Sequence, residues 1–223
     1  MARLNDIEIR ESELTYSNKR GWFFHPTGHH VRALLFHFLP ANYTLDGSSK
    51  FSVVFGPKPP HERAYSQALG VSTYYVENFD VNDYMARPQC EQQENILVEI
   101  SKALLDVART IGGDQVPIEL AAAAVRGSGF CCDIAVTKLS RSSKDRHFRV
   151  NVVRRLGPSL GEAWEAVISN AAGTVVGVEP IKKASCLDRT SHFSKSQWHG
   201  DVFQIIYSRL GEVQYELDLG KYR

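Results

Sequence analysis

The chain has 223 residues, 43% hydrophobic and 23% charged, an ordinary globular composition with enough apolar material for a real core. Lys and Arg number 26 against 25 Asp and Glu, so the net charge of +1 excludes a global pull toward nucleic acid or an acidic membrane, and charge must be read locally. No segment approaches the ~20 apolar residues that span a bilayer, and the polar start lacks signal-peptide character, so a cytoplasmic protein without membrane contact is expected.

The first ~80 residues alternate short apolar runs with turn residues and read as strand-rich. Leu4 to Arg10 and Leu14 to Phe24 are candidates to pair, and Val31 to Leu39 reads as a largely buried strand. Asp46-Gly47 supplies a tight turn between Asn42 and Ser49, and with Lys50 to Phe55 it predicts a hairpin. Pro57-Lys58-Pro59-Pro60 cannot donate to a ladder and is expected as a surface loop before a strand from Val71 to Phe79.

From Pro88 to Ile111 the period becomes helical, because Ile96, Leu97, Ile100, Ala103, Leu104, Val107 and Ile111 build one apolar stripe. Pro88 suits a first turn, Glu91 and Glu94 complement the positive end of the dipole, and Gly112-Gly113 supplies a left-handed stop. A second helix follows, with Asp114 as N-cap, Pro117 in its first turn and Gly127 as its end. From Phe130 onward the period returns to two, predicting an antiparallel meander over 130–219. Strands, then helices over 88–127, then strands predict an α+β fold. The expected form is antiparallel sheets with the two central helices on one side, in a single domain of residues 1–223, rather than a βαβ succession on a parallel sheet.

No phosphate-cradling glycine motif and no nucleophile elbow occur, so no cofactor is expected and no catalytic residue is assigned. Cys90, Cys131, Cys132 and Cys186 contain no C-x-x-C and read as free, mostly buried thiols in a reducing compartment. His25, His29 and His30 gather three imidazoles on what reads as a polar, solvated bend, and His192, His199 and Asp201 form a second set. Neither matches a standard ligand spacing, so no metal is assigned and a metal-dependent hydrolase ranks third among the functional readings.

Two charged stretches of opposite sign stand out. From Lys138 to Arg155, seven cations (Lys138, Arg141, Lys144, Arg146, Arg149, Arg154 and Arg155) oppose one acid, Asp145. Lys138, Arg141, Lys144, Arg146 and Arg149 would carry phosphate contacts if a nucleic acid is the partner, which is the alternative reading. From Glu77 to Asp106, seven acids oppose Arg87 and Lys102, with Phe79 and Tyr84 among them. Acids with aromatic anchors suit capture of a basic protein, which points to Asp80, Asp83 and Tyr84. Trp198 and His199, in a Ser, Lys, Gln and His loop, are a second set of candidate partner-binding residues, the indole being equally suited to plugging the core.

The segment "FDVNDYMARPQCEQQENILVEISKALLDVA", running into a long helix and followed by a meander with Trp-containing strands, resembles uncharacterised bacterial proteins that include immunity proteins of toxin and immunity pairs. That resemblance implies a non-catalytic cytoplasmic inhibitor that caps a partner protein such as a toxin, and it transfers no residue roles.

Overall fold

Ile7 and Ile9 are buried while Asp6, Glu8 and Arg10 are only half-buried, and this period of two forms strand β1 (Asp6–Glu11). The computed structural model describes residues 2–15, 24–185 and 189–222, the side chains of 24–26 excepted. The chain is α+β and divides into two compact units: unit 1 is Met1–Cys131 with Gly157–Ser159, and unit 2 is Cys132–Leu156 with Leu160–Arg223. No described helix is long and apolar enough to cross a membrane.

In unit 1, β1 leads to helix α1 (Phe24–Phe38), strands β2 (Lys50–Phe55), β3 (Tyr65–Ala68) and β4 (Val71–Val76), and helices α2 (Val81–Ala86), α3 (Gln89–Ile111) and α4 (Val116–Gly127). The expected strand from Val31 to Leu39 is instead α1 and its C-terminal continuation. Val31, Leu34, Leu35 and Leu39 are buried at spacings of three, one and four, so the apolar run satisfies the helical period. Pro26 falls in the first turn, where a missing donor costs little. Gly28 is part of this helix rather than of a bend: a Cβ there would stand 2.6 Å from Ile9 Cδ1 and 3.5 Å from Ile96 Cγ2, so glycine is what lets α1 lie close to β1 and α3.

Placing a helix between β1 and β2 changes the sheet. Its order is β1-β2-β4-β3, with β1 and β4 both parallel to β2 and only β3 antiparallel to β4. The parallel pairing rejected from sequence is therefore present in this half, and β2 has no hairpin partner before it. The Asp46-Gly47 turn does form, with Gly47 at φ 91. Its carboxylate accepts from Ser48 N at 2.9 Å, from Tyr65 Oη at 2.5 Å and from Ser72 Oγ, tying the loop to β3 and β4. Leu14 and Thr15 form a turn, and the rest of the expected strand from Leu14 lies mostly outside the described residues.

The two central helices form over the expected spans, but Pro88 is the N-cap of α3 rather than part of its first turn, and Ile111, expected in the apolar stripe, is 44% exposed at the end of the helix. Along α3 the stripe of Ile96, Leu97, Ile100, Ala103, Leu104 and Val107 is buried, and Gly112 ends the helix at φ 69 with Gly113 N–H donating to Ala108 O at 2.7 Å. Asp114 sits one residue ahead of the α4 cap, Gln115, and its Oδ1 accepts from Val116 N at 3.0 Å. Ser128, not Gly127, is the C-cap residue of α4.

Among the described residues of unit 2 the regular elements are strands, apart from a 3-10 turn at Leu219–Tyr222. One sheet has the order β5 (Cys132–Ala135), β7 (Phe148–Gly157), β8 (Gly161–Asn170), β9 (Val175–Ser185), with the short β6 (Arg141–Ser142) also paired to β7. The other has the order β10 (Lys195–His199), β11 (Val202–Tyr207), β12 (Glu212–Asp218), all antiparallel. Alternate residues of both sheets share one core, in which Val150, Val152, Trp164, Ala166 and Ile168 meet Phe203, Ile205 and Leu217.

Candidate functional site

Phe79 follows β4, and α2 begins two residues later because Asp80 caps it, its Oδ1 accepting from Asn82 N at 2.8 Å and Asp83 N at 3.0 Å. The end of β4, this connection, α2 and one face of α3 enclose an open groove of about 460 Å³ in unit 1. Four carboxylates line it (Glu77, Asp80, Asp83 and Glu99) against two cations, Arg87 and Lys102. Its floor is aromatic: Phe79 packs edge-on against Phe55 at 4.7 Å between ring centres and tilts over Tyr84 at 5.3 Å.

These acids differ in how far the fold already satisfies them. Asp83 pairs with Arg87 one turn on, and this partner holds the guanidinium above its ordinary value. Glu77 reaches Lys58 only at 4.0 Å. Glu99, half-buried, has no side-chain partner among the described residues. Outside the groove, Arg126 grips Glu94 through two donors at 2.6 and 2.9 Å. Tyr74 donates to Asp106 at 2.8 Å; burial first, then this carboxylate, pushes its phenol up to about 12.

Of the residues singled out from sequence, Asp80, Asp83 and Tyr84 are brought together here. Tyr84 is 1% exposed and donates to Thr27 at 2.7 Å, and burial pushes its phenol up to about 12. It supports the groove from beneath rather than projecting as an anchor. Glu99 and Asn95 are groove residues that sequence inspection had not singled out as contacts; their spacing of four along α3 is the signal that places them on one face.

The other candidates are placed differently. Trp198 is half-buried and packs edge-on against Phe203 at 5.4 Å with its indole nitrogen buried, so it belongs to the core of unit 2, while His199 at the end of β10 is exposed. His192 stacks on Tyr207 at 5.3 Å. His29 and His30 are fully buried on α1, contrary to the solvated bend expected, and His25 lies outside the described side chains. His30 Nε2 sits 3.1 Å from Gln93 Oε1 and Nδ1 has no partner; burial pushes its imidazole below the ordinary value, with Gln93 opposing. Among the described residues, no three His, Cys, Asp or Glu side chains could together hold a metal ion. Cys90 and Cys131 are exposed and Cys132 half-buried, so the expectation of mostly buried thiols fails for two of the three described, and Cys186 lies outside the described residues.

The basic stretch separates into two sets. Arg154, 12% exposed, pairs with Glu162, 1% exposed, whose carboxylate also accepts from Trp164 Nε1 at 2.5 Å and Arg189 N at 3.0 Å. Arg155 binds Asp133 at 3.1 Å and Glu165 at 3.2 Å. Both arginines are therefore neutralised within the fold, whereas Lys138, Arg141, Lys144, Arg146 and Arg149 are exposed with no ion-pair partner among the described residues. Compared with protein-family models, curated proteins and solved structures, the chain matches none.

Proposed function

We propose that this protein is a non-catalytic binding module that caps a partner protein in the manner of a cytoplasmic immunity-type inhibitor, seating a basic segment of that partner in the unit 1 groove. The observation that carries this is the groove itself, where four carboxylates surround an aromatic floor and Glu99 has no side-chain partner among the described residues. A Lys or Arg entering it meets complementary charge on the walls and π faces beneath, a combination that speeds encounter and concentrates binding energy on few residues. Free thiols at Cys90, Cys131 and Cys132 support placement in a reducing compartment.

The test is a pull-down from the native cell extract with the full chain and with the double variant Glu77→Lys/Glu99→Lys, read by mass spectrometry and followed by titration of the recovered partner. A basic protein held at one-to-one stoichiometry by the wild type and lost by the variant is the expected result. A partner retained equally by both would remove the groove from the function. Turnover of any substrate dependent on groove side chains would replace capping with catalysis.

A further inference from the structure

A hairpin tip in unit 2 carries a charge arrangement that the groove does not use. Lys138 and the β6–β7 hairpin place five exposed cations within twelve residues, Lys138, Arg141, Lys144, Arg146 and Arg149, and none has an ion-pair partner among the described residues. Arg141 and Arg149 each make one internal hydrogen bond, to Ser140 O at 3.0 Å and to Asn151 Oδ1 at 2.8 Å, which leaves most of their donors unused.

The tip is built rather than loose. Ser143 N donates to Phe148 O at 2.8 Å, Phe148 N returns a bond to Ser143 Oγ at 3.1 Å, and Ser143 Oγ donates to Asp145 Oδ1 at 2.6 Å. Asp145, the acid of the turn, is turned onto the frame, accepting also from His147 N at 3.2 Å and sitting 3.1 Å from His147 Nδ1. Arg146 takes the left-handed conformation at φ 59, which Gly or Asn would adopt with less strain. The backbone thus presents cations from a fixed turn, which lowers the ordering cost of binding.

We infer that this tip binds the phosphate backbone of duplex nucleic acid without reading sequence. Duplex is favoured over single strands because no exposed Phe, Tyr or Trp lies between 137 and 151, Phe148 being 8% exposed in the core and the exposed His147 ring lying 3.1 Å from Asp145, whereas single-strand binders rely on several stacking platforms.

The test is fluorescence anisotropy of a labelled random-sequence DNA duplex of about 20 base pairs with the full chain between 50 and 200 mM KCl. If all five cations engage, log K falls against log salt with a slope near −4.5. Arg141→Glu/Arg146→Glu/Arg149→Glu should weaken binding by at least about a hundredfold at low salt and Lys138→Glu/Lys144→Glu by at least about tenfold. Lys182→Glu/Lys183→Glu on β9 should stay within about twofold. The inference is overturned by no binding at 50 mM, by salt-independent affinity, by tip variants that bind like wild type, by a single strand binding more tightly than the duplex, or by equal affinity for polyglutamate. Glu77→Lys/Glu99→Lys leaves the contact surface of the tip unaltered, so this inference and the groove proposal fail separately.

Discussion

Glu162 of unit 2 accepts hydrogen bonds from Arg154, Trp164 and the Arg189 backbone inside the fold, whereas Glu99 of unit 1 lines an open groove without a side-chain partner among the described residues. The same contrast divides Arg154 from Arg149 five residues away on one strand: Arg154 is half-buried against a carboxylate, whereas Arg149 is exposed with no ion-pair partner among the described residues. In unit 2 the carboxylate that enters the core is neutralised there, because an uncompensated buried ion costs several kcal/mol, while in each unit other charges stay at the surface. A charged residue's availability, not its presence in a run, is what marks a binding surface.

The sharpest way to break this contrast is Glu162→Gln, which strands the Arg154 guanidinium and weakens the bonds to Trp164 and Arg189. It should lower the stability of unit 2 by about 3–5 kcal/mol in urea unfolding followed through tryptophan fluorescence, to which Trp164 and Trp198 of unit 2 both contribute. A loss under about 1 kcal/mol would mean that the pair is not integral to the core. Next, Gly28→Leu forces side-chain atoms against Ile9 and Ile96 and should cost unit 1 about 1–3 kcal/mol, measured by circular dichroism melting.

His30 gives a smaller, pH-dependent effect. Its folded imidazole titrates below the ordinary 6.5, so below that pH the unfolded chain binds the extra proton first. The stability this neutral histidine contributes is complete above pH 6.5 and declines as pH falls toward the folded value, by at most about 1.4 kcal/mol per pH unit. His30→Gln should flatten the stability profile between pH 6.5 and 5, and an unchanged profile would move the acid sensitivity to other groups. Smallest of all, Glu99→Lys should shift stability by no more than about 0.5 kcal/mol while abolishing partner capture. A large stability loss there would make Glu99 a structural residue like Glu162.

The order of elements was only partly legible in the residues. The stripe on α3 and its Gly112 stop were readable because they depend on neighbours within one helix, and the alternation along β7 and β8 because each strand has one core-facing side. Val31 to Leu39 was misread since a nine-residue apolar run fits a buried strand and a buried helix equally well, and its packing against β1 and α3 decided between them. That choice in turn converted an expected hairpin into parallel pairing at β1, β2 and β4.

For the groove, the acids and aromatics between Phe79 and Tyr84 were legible as a cluster, and the Asp80 cap is a local sequence signal. Composition and periodicity by themselves determined the α+β class, the two central helices and the positions of excess charge, all of which rest on short-range spacing. Only the tertiary structure decided which of those charges remain open. Arg154 finds Glu162 across eight residues and Arg155 finds Asp133 across twenty-two, and pairing at such separations is fixed by strand register and burial, which no local pattern encodes.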